Sequence, residues 1–131
     1  MKTILIDAVE TFIVKERDEY KIFNEMFDLL ESFSNPKIIV TNADDEQIKT
    51  FGLNNVPYPV FTLKHMPDKP NPEYFKKLMM NYGLTPNDII YFEHNTDAVK
   101  SAESIGIKCY YYDSAKKDIV ALKQFLTKNA N

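Results

Sequence analysis

Five short apolar runs, separated by stretches of helical spacing, constrain this chain more than any other feature. They are Thr3–Asp7, Lys37–Thr41, Val60–Leu63, Ile89–Phe92 and Cys109–Tyr112. Each is nearly continuous rather than alternating, as in strands whose two faces are both covered. In the first intervening stretch, Asp18 to Phe33, apolar residues Phe23, Met26, Phe27, Leu30 and Phe33 recur at intervals of three and four. That spacing predicts one amphipathic helix of about four turns. Asp44–Phe51 reads as a short second helix stopping near Gly52. A third opens at Asn71 or Pro72, carries Tyr74, Phe75, Leu78, Met79 and Tyr82, and ends at Gly83, as helices commonly do. Thr96–Ile105 is a fourth, capped by Thr96 and stopped by Gly106, and Asp118–Leu126 a fifth. Strand alternating with helix predicts an α/β fold, a three-layer α/β/α sandwich around a five-stranded, mainly parallel sheet.

The chain has 131 residues, enough for one domain spanning 1–131 that buries roughly two thirds of its unfolded surface. Lys plus Arg number 16 against 19 acids, a net charge of −3, so no basic field is available to grip nucleic acid. Cys109 is the only cysteine and His65 and His94 the only histidines, which excludes a disulfide framework and a Cys/His zinc site. Gly52, Gly83 and Gly106 are the only glycines and cannot form a glycine-rich phosphate loop. No apolar run is long enough to cross a bilayer. Asp7 interrupts the first run where a signal peptide would continue. The expectation is a cytoplasmic domain with neither nucleic acid nor membrane as partner.

In parallel sheets of this kind, ligands sit beyond the carboxyl ends of the strands. Asp7, Thr41 and Asn42, the loop from Lys64 to Lys69, Glu93 and His94, and Asp113 occupy those positions. A carboxylate such as Asp7 can act there as a nucleophile or an oxygen ligand for Mg²⁺; its plainer role is a strand-end cap. Thr41 offers a hydroxyl and a backbone N–H to an anion, or simply ends a strand. Lys69 lies in Asp68-Lys69-Pro70-Asn71-Pro72, where two prolines stiffen the loop and suit it to hold a charge against phosphate or carboxylate. Tyr110-Tyr111-Tyr112 reads as a strand buried on both faces, and Cys109 within the same run as an inert, packed thiol.

Taken in order, these blocks resemble the haloacid dehalogenase (HAD)-like superfamily, whose core is of Rossmann type. The resemblance rests on Asp7 with Thr11 four residues on, Thr41 ending a strand, Lys69-Pro70-x-Pro72-x-x-Phe75, and Ile89 to Ala98 followed by Ala102 and Gly106-Ile107. It spans Lys2 to about Asp113 and implies a small member without a cap domain. It implies Asp7 as the nucleophile forming an aspartyl-phosphate and Thr41 as the phosphate-binding hydroxyl; Asn42, beside it at the strand end, is a further substrate-binding candidate. Lys69 would steady both nucleophile and phosphate, and Mg²⁺ would be the cofactor.

The departures from the family pattern are as informative. Phosphatases of the family carry a second Asp two residues after the nucleophile as general acid and base; here that position is Val9. Its backbone carbonyl can still ligate a metal, but leaving-group protonation, worth roughly 10²–10⁴-fold, is lost. Glu10, one residue on, points to the opposite side of an extended segment. Aligned back from Gly106, the two acids of the fourth block fall on His94 and Ala98, leaving Glu93 and Asp97 as flanking oxygen donors in a shifted register. His94 is a poor Mg²⁺ ligand and reads better as a hydrogen-bonding residue of the rim. Two functions follow as expectations. One is a phosphatase-type HAD-like hydrolase of weak or atypical activity, with metal on Asp7, Val9, Glu93 and Asp97. The other is a catalytically inactive relative that binds a phosphorylated small molecule or protein.

Overall fold

The computed structural model describes residues 1–131. Seven strands and five helices run in the order β1 (Thr3–Asp7), β2 (Ile13–Glu16), β3 (Glu19–Ile22), α1 (Asn24–Glu31), β4 (Lys37–Thr41), α2 (Asp45–Thr50), β5 (Val60–Thr62), α3 (Glu73–Tyr82), β6 (Ile89–Glu93), α4 (Thr96–Glu103), β7 (Lys108–Tyr111) and α5 (Ile119–Asn129). Five strands form one sheet in the order β5-β4-β1-β6-β7, all parallel. The expected three-layer α/β/α architecture is therefore the observed one.

Strand periodicity sorts the core into two clusters. Ile4, Ile6, Ile39, Ile90 and Phe92 face one way, against Met26 and Leu30 of α1 and Leu122 and Leu126 of α5. Leu5, Ile38, Val40, Ile89 and Tyr91 face the other way, against Tyr74, Phe75 and Leu78 of α3 and Ala102 of α4. All five residues of β1 are buried, because β4 and β6 flank it and helices cover both its faces. No helix is long and apolar enough to cross a membrane.

Two expectations need correction. The stretch predicted as a single helix from Asp18 splits into β3 and a shorter α1. Arg17 and Asp18 have φ of +49° and +65°, the left-handed pair that closes a two-residue hairpin. The antiparallel strands β2 and β3 then pair with Ile13 opposite Ile22. Burial alternates along Glu19-Tyr20-Lys21-Ile22, and Tyr20 packs edge-on against Phe51 at 4.9 Å. Cross-strand pairing and that contact outweigh the helical stripe. The second correction concerns Tyr110-Tyr111-Tyr112. β7 is an edge strand that pairs only with β6, and Tyr111 is 48% exposed although Tyr112 is buried.

Smaller differences are local. Asn95, not Thr96, caps α4, its side chain accepting from the Ala98 N–H at 3.0 Å. Cys109 is half-buried, and burial, reinforced by the charges of Glu103 and Glu93, pushes its thiol up to about 12. A thiol so protonated is a packing group at neutral pH.

Candidate active site

The chain runs from β1 outward to β4 and β5, then crosses to the other side of β1 for β6 and β7. The carboxyl end of β1 is thus the point where strand order reverses, the place at which such sheets open a crevice. Asp7 stands there. Thr41 ends β4 and Glu93 ends β6, on either side of it.

Asp7, Lys69 and Glu93 are 1%, 6% and 0% exposed. The Lys69 Nζ donates to Asp7 Oδ1 at 2.8 Å and to Glu93 Oε1 at 2.7 Å. A buried lysine between two buried carboxylates keeps its charge: burial lowers its pKa, but the charges of Asp7 and Glu93 carry it above the ordinary value. Burial likewise raises the Asp7 carboxyl, yet Lys69 and the His94 hydrogen bond hold it below the usual carboxylate range. Glu93 moves upward instead, through burial and the neighbouring Asp7 charge, with Lys69 opposing. The Tyr91 hydroxyl donates to the same Glu93 Oε1, and the Asn95 N–H to Oε2 at 3.1 Å.

After Asp7 the backbone winds back on itself, with Phe12 N–H bonded to Asp7 O and Ile13 N–H to Ala8 O. The turn returns the Thr11 hydroxyl to Asp7 Oδ2 at 2.6 Å. The His94 N–H donates to that oxygen at 3.2 Å, and His94 Nδ1 bonds it too. Since an ionised carboxylate only accepts, Nδ1 carries the proton. Hydrogen bonds to Asp7 and Glu93, against a smaller effect of burial, push the His94 pKa up to about 10, so the ring is cationic at neutral pH.

These groups floor a cleft of about 260 Å³ also lined by Val9, Thr41, Asn42, Gln47, His65 and Phe51. Thr41 Oγ1 accepts from Ala43 N–H at 3.2 Å, and its hydroxyl proton has no protein acceptor. Asn42 Oδ1 accepts the Lys69 N–H at 2.7 Å, tying the lysine loop to the end of β4. Tyr74 OH accepts from Thr41 N–H at 3.0 Å and lies 2.9 Å and 2.8 Å from the carbonyl oxygens of Thr41 and Phe61. It clamps the ends of β4 and β5 together beneath the site.

The expected site residues are mostly brought together: Asp7, Val9, Thr41, Asn42, Lys69 and Glu93 all line the cleft. Asp97 does not. It is an exposed residue in the first turn of α4, a position that suits an acid for the helix dipole and takes it out of the expected ligand set. Glu93, expected as an oxygen donor to metal, has both oxygens engaged by Lys69, Tyr91 and Asn95. Glu10 is exposed, has φ of +73° and lines a different hollow, which rules it out as a stand-in for the acid missing at Val9. Gln47 escaped sequence reasoning, and the sequence marks His65 only as part of the Lys64–Lys69 loop. His65 Nε2 lies 2.7 Å from Gln47 Oε1 and Nδ1 2.8 Å from Asp68 Oδ1, a pairing across 18 residues that no local pattern reveals.

Asp7, Glu93 and His94 place three ligand-type atoms within 4.8 Å of one another. Val9 lines the cleft, and its carbonyl receives no backbone hydrogen bond. The oxygens of Asp7 and Val9 thus suit a hard cation, whereas the protonated nitrogen of His94 does not.

Among curated proteins, none matches this chain. Solved structures do. A HAD family enzyme from Bacteroides thetaiotaomicron is 16% identical, with a TM-score of 0.76 over 93% of this chain and 98% of its own. The same wild-type protein in complex with magnesium and inorganic phosphate gives a TM-score of 0.69 at 16% identity, over 85% and 93% of the two chains. A HAD-superfamily hydrolase of subfamily IA from Geobacter sulfurreducens is 14% identical, with a TM-score of 0.66 over 93% and 99%. At such identities the likeness is one of fold. The sequence itself decides the family, for residues 1–111 match the model of the haloacid dehalogenase-like hydrolases. This chain belongs to the haloacid dehalogenase-like hydrolase family.

Proposed function

We propose that the protein is a phosphatase-type hydrolase of weak or atypical activity, acting on a phosphorylated small molecule or protein through Asp7. The observation that carries this reading is the buried ion pair of Asp7 and Lys69, 2.8 Å apart at the floor of an open cleft. A carboxylate attacks phosphorus only where positive charge offsets the repulsion between two anions. Asp7 forms the new O–P bond while the bond to the leaving oxygen breaks. Lys69 holds the nucleophile and meets the phosphoryl oxygens. Thr41 and Asn42 direct the remaining donors toward them from the end of β4. Water then hydrolyses the aspartyl-phosphate. A divalent cation such as Mg²⁺, on Asp7 and the Val9 carbonyl, would neutralise phosphoryl charge when bound.

The leaving oxygen takes its proton from water, because Val9 offers none, and this slows the first step by roughly 10²–10⁴-fold. Within residues 1–131, β2 and β3 are joined only by Arg17 and Asp18, which agrees with a core lacking a cap at that hairpin. Such an open site suits a substrate that covers the cleft itself. A second reading, an inactive relative that binds a phosphorylated ligand or partner, is favoured by one observation. Asp7 Oδ2 already accepts bonds from Thr11 and twice from His94. Release of phosphate from a panel of phosphate esters with Mg²⁺ decides between them, with Asp7→Asn as the blank. Turnover above the blank supports the hydrolase; identical traces leave the binding role.

A further inference from the structure

A carboxylate offers about four lone-pair positions, two on each oxygen, and on Asp7 the crowding falls on Oδ2. Lys69 Nζ occupies Oδ1, while the Thr11 hydroxyl, the His94 N–H and the His94 Nδ1–H occupy Oδ2. Any cation that binds Oδ2 has to displace one of these donors. Lys69 and Thr11 are held in the core, with a side-chain exposure of 8% for the lysine and 0% exposure for Thr11. The His94 N–H belongs to the backbone at the end of β6. The His94 ring is different. Its side chain is 28% exposed, it lines the cleft, and its Nε2 makes no protein hydrogen bond. It can leave without opening the core.

We infer that the His94 ring acts as a built-in competitor for divalent metal at Asp7 Oδ2, so that a cation on that oxygen and the Nδ1–H···Oδ2 bond exclude each other. This rests on the reading of Asp7 as the centre of the site but not on turnover. Metal affinity in the native protein is reduced by the equilibrium for turning the ring away. A hydrogen bond to a charged group of this kind sets that penalty at roughly ten- to hundredfold. The family resemblance expects an oxygen ligand at position 94; the residue present is a donor that opposes one.

The test uses Mn²⁺ as the probe, its binding followed by loss of the free-ion electron paramagnetic resonance signal. Compared are the full chain, His94→Ala, His94→Asp, and Asp7→Asn combined with His94→Ala. His94→Ala is expected to bind Mn²⁺ at least about tenfold more tightly than the native protein, and His94→Asp more tightly still. Asp7→Asn should abolish the gain. Native affinity equal to or above that of His94→Ala overturns the inference. A second measurement needs no variant: as Mg²⁺ saturates the native protein, the Nδ1–H proton resonance of His94 should vanish in step. Its persistence in the Mg²⁺-bound protein overturns the inference equally. These outcomes are separable from those of the hydrolase reading. A protein without turnover whose His94→Ala variant gains Mn²⁺ leaves the competitor role standing. Turnover with a native metal affinity matching that of His94→Ala removes the competitor and keeps the hydrolase.

Discussion

Lys69 and Asp7 lie 62 positions apart in the chain, yet Lys69 Nζ sits 2.8 Å from Asp7 Oδ1 in a site that excludes almost all solvent. Glu93, 24 positions from the lysine, completes the triad at 2.7 Å. Lys69 thus bridges two buried anions, with the His94 ring against Asp7 from the cleft side, and its loss has a predictable cost. Lys69→Met should destabilise the fold by about 3–5 kcal/mol, because it removes the buried cation shared by both carboxylates. Urea unfolding measures this. Adding Glu93→Gln to Lys69→Met should recover part of the loss, and a double variant as unstable as the single one would refute the shared-cation account.

The His94 ring supplies a pH dependence of definite sign. Its pKa is raised from 6.5 to about 10 in the folded protein, so folding favours the protonated ring. The resulting stabilisation is fully present below about pH 6.5 and is lost as pH rises toward 10. Histidine ring resonances followed by NMR should show His94 still protonated at pH 8. In Asp7→Asn its midpoint should fall back toward the ordinary histidine range. An unperturbed midpoint in the native protein would show that the ring does not rest on Asp7.

The scaffold around Asp7 is intact, so missing chemistry can be put back. The double change Val9→Asp with His94→Asp supplies an acid in the cleft and an oxygen donor in place of a competing ring. Phosphate release in Mg²⁺ should rise by roughly 10²-fold or more over the native protein. No gain would mean that residues 9 and 94 do not correspond to the family's acid and ligand positions.

Tyr74 OH ties Thr41 and Phe61 together from below the cleft. Tyr74→Phe leaves the Thr41 N–H without its acceptor and removes the one hydroxyl proton that the Thr41 and Phe61 carbonyls share, and should cost about 1–3 kcal/mol in thermal or urea unfolding. Since Thr41 carries the site, any ligand affinity should weaken alongside. A change below about 0.5 kcal/mol would show that water or the backbone replaces the hydroxyl.

Much of this protein was legible in one dimension because its signals are periodic or local. Continuous apolar runs between helical stripes determine a parallel sheet covered on both faces, and polar residues following those runs mark its ligand edge. Asp7, Thr41 and Lys69 could be singled out on that ground, as could the want of an acid at Val9. The hairpin of β2 and β3 was not legible. There the helical stripe from Phe23 onward competed with a short alternation, and cross-strand pairing decided in favour of the strands. Nor could sequence show that Asp97 faces solvent while Glu93 turns inward to Lys69, since one register step separates a ligand position from a helix cap. The bond between His94 and Asp7 spans 87 positions and exists only because β1 and β6 are neighbours in the sheet. Local pattern determined which side chains reach the edge; the order of strands decided which of them meet, and therefore that a histidine ring rests on the carboxylate.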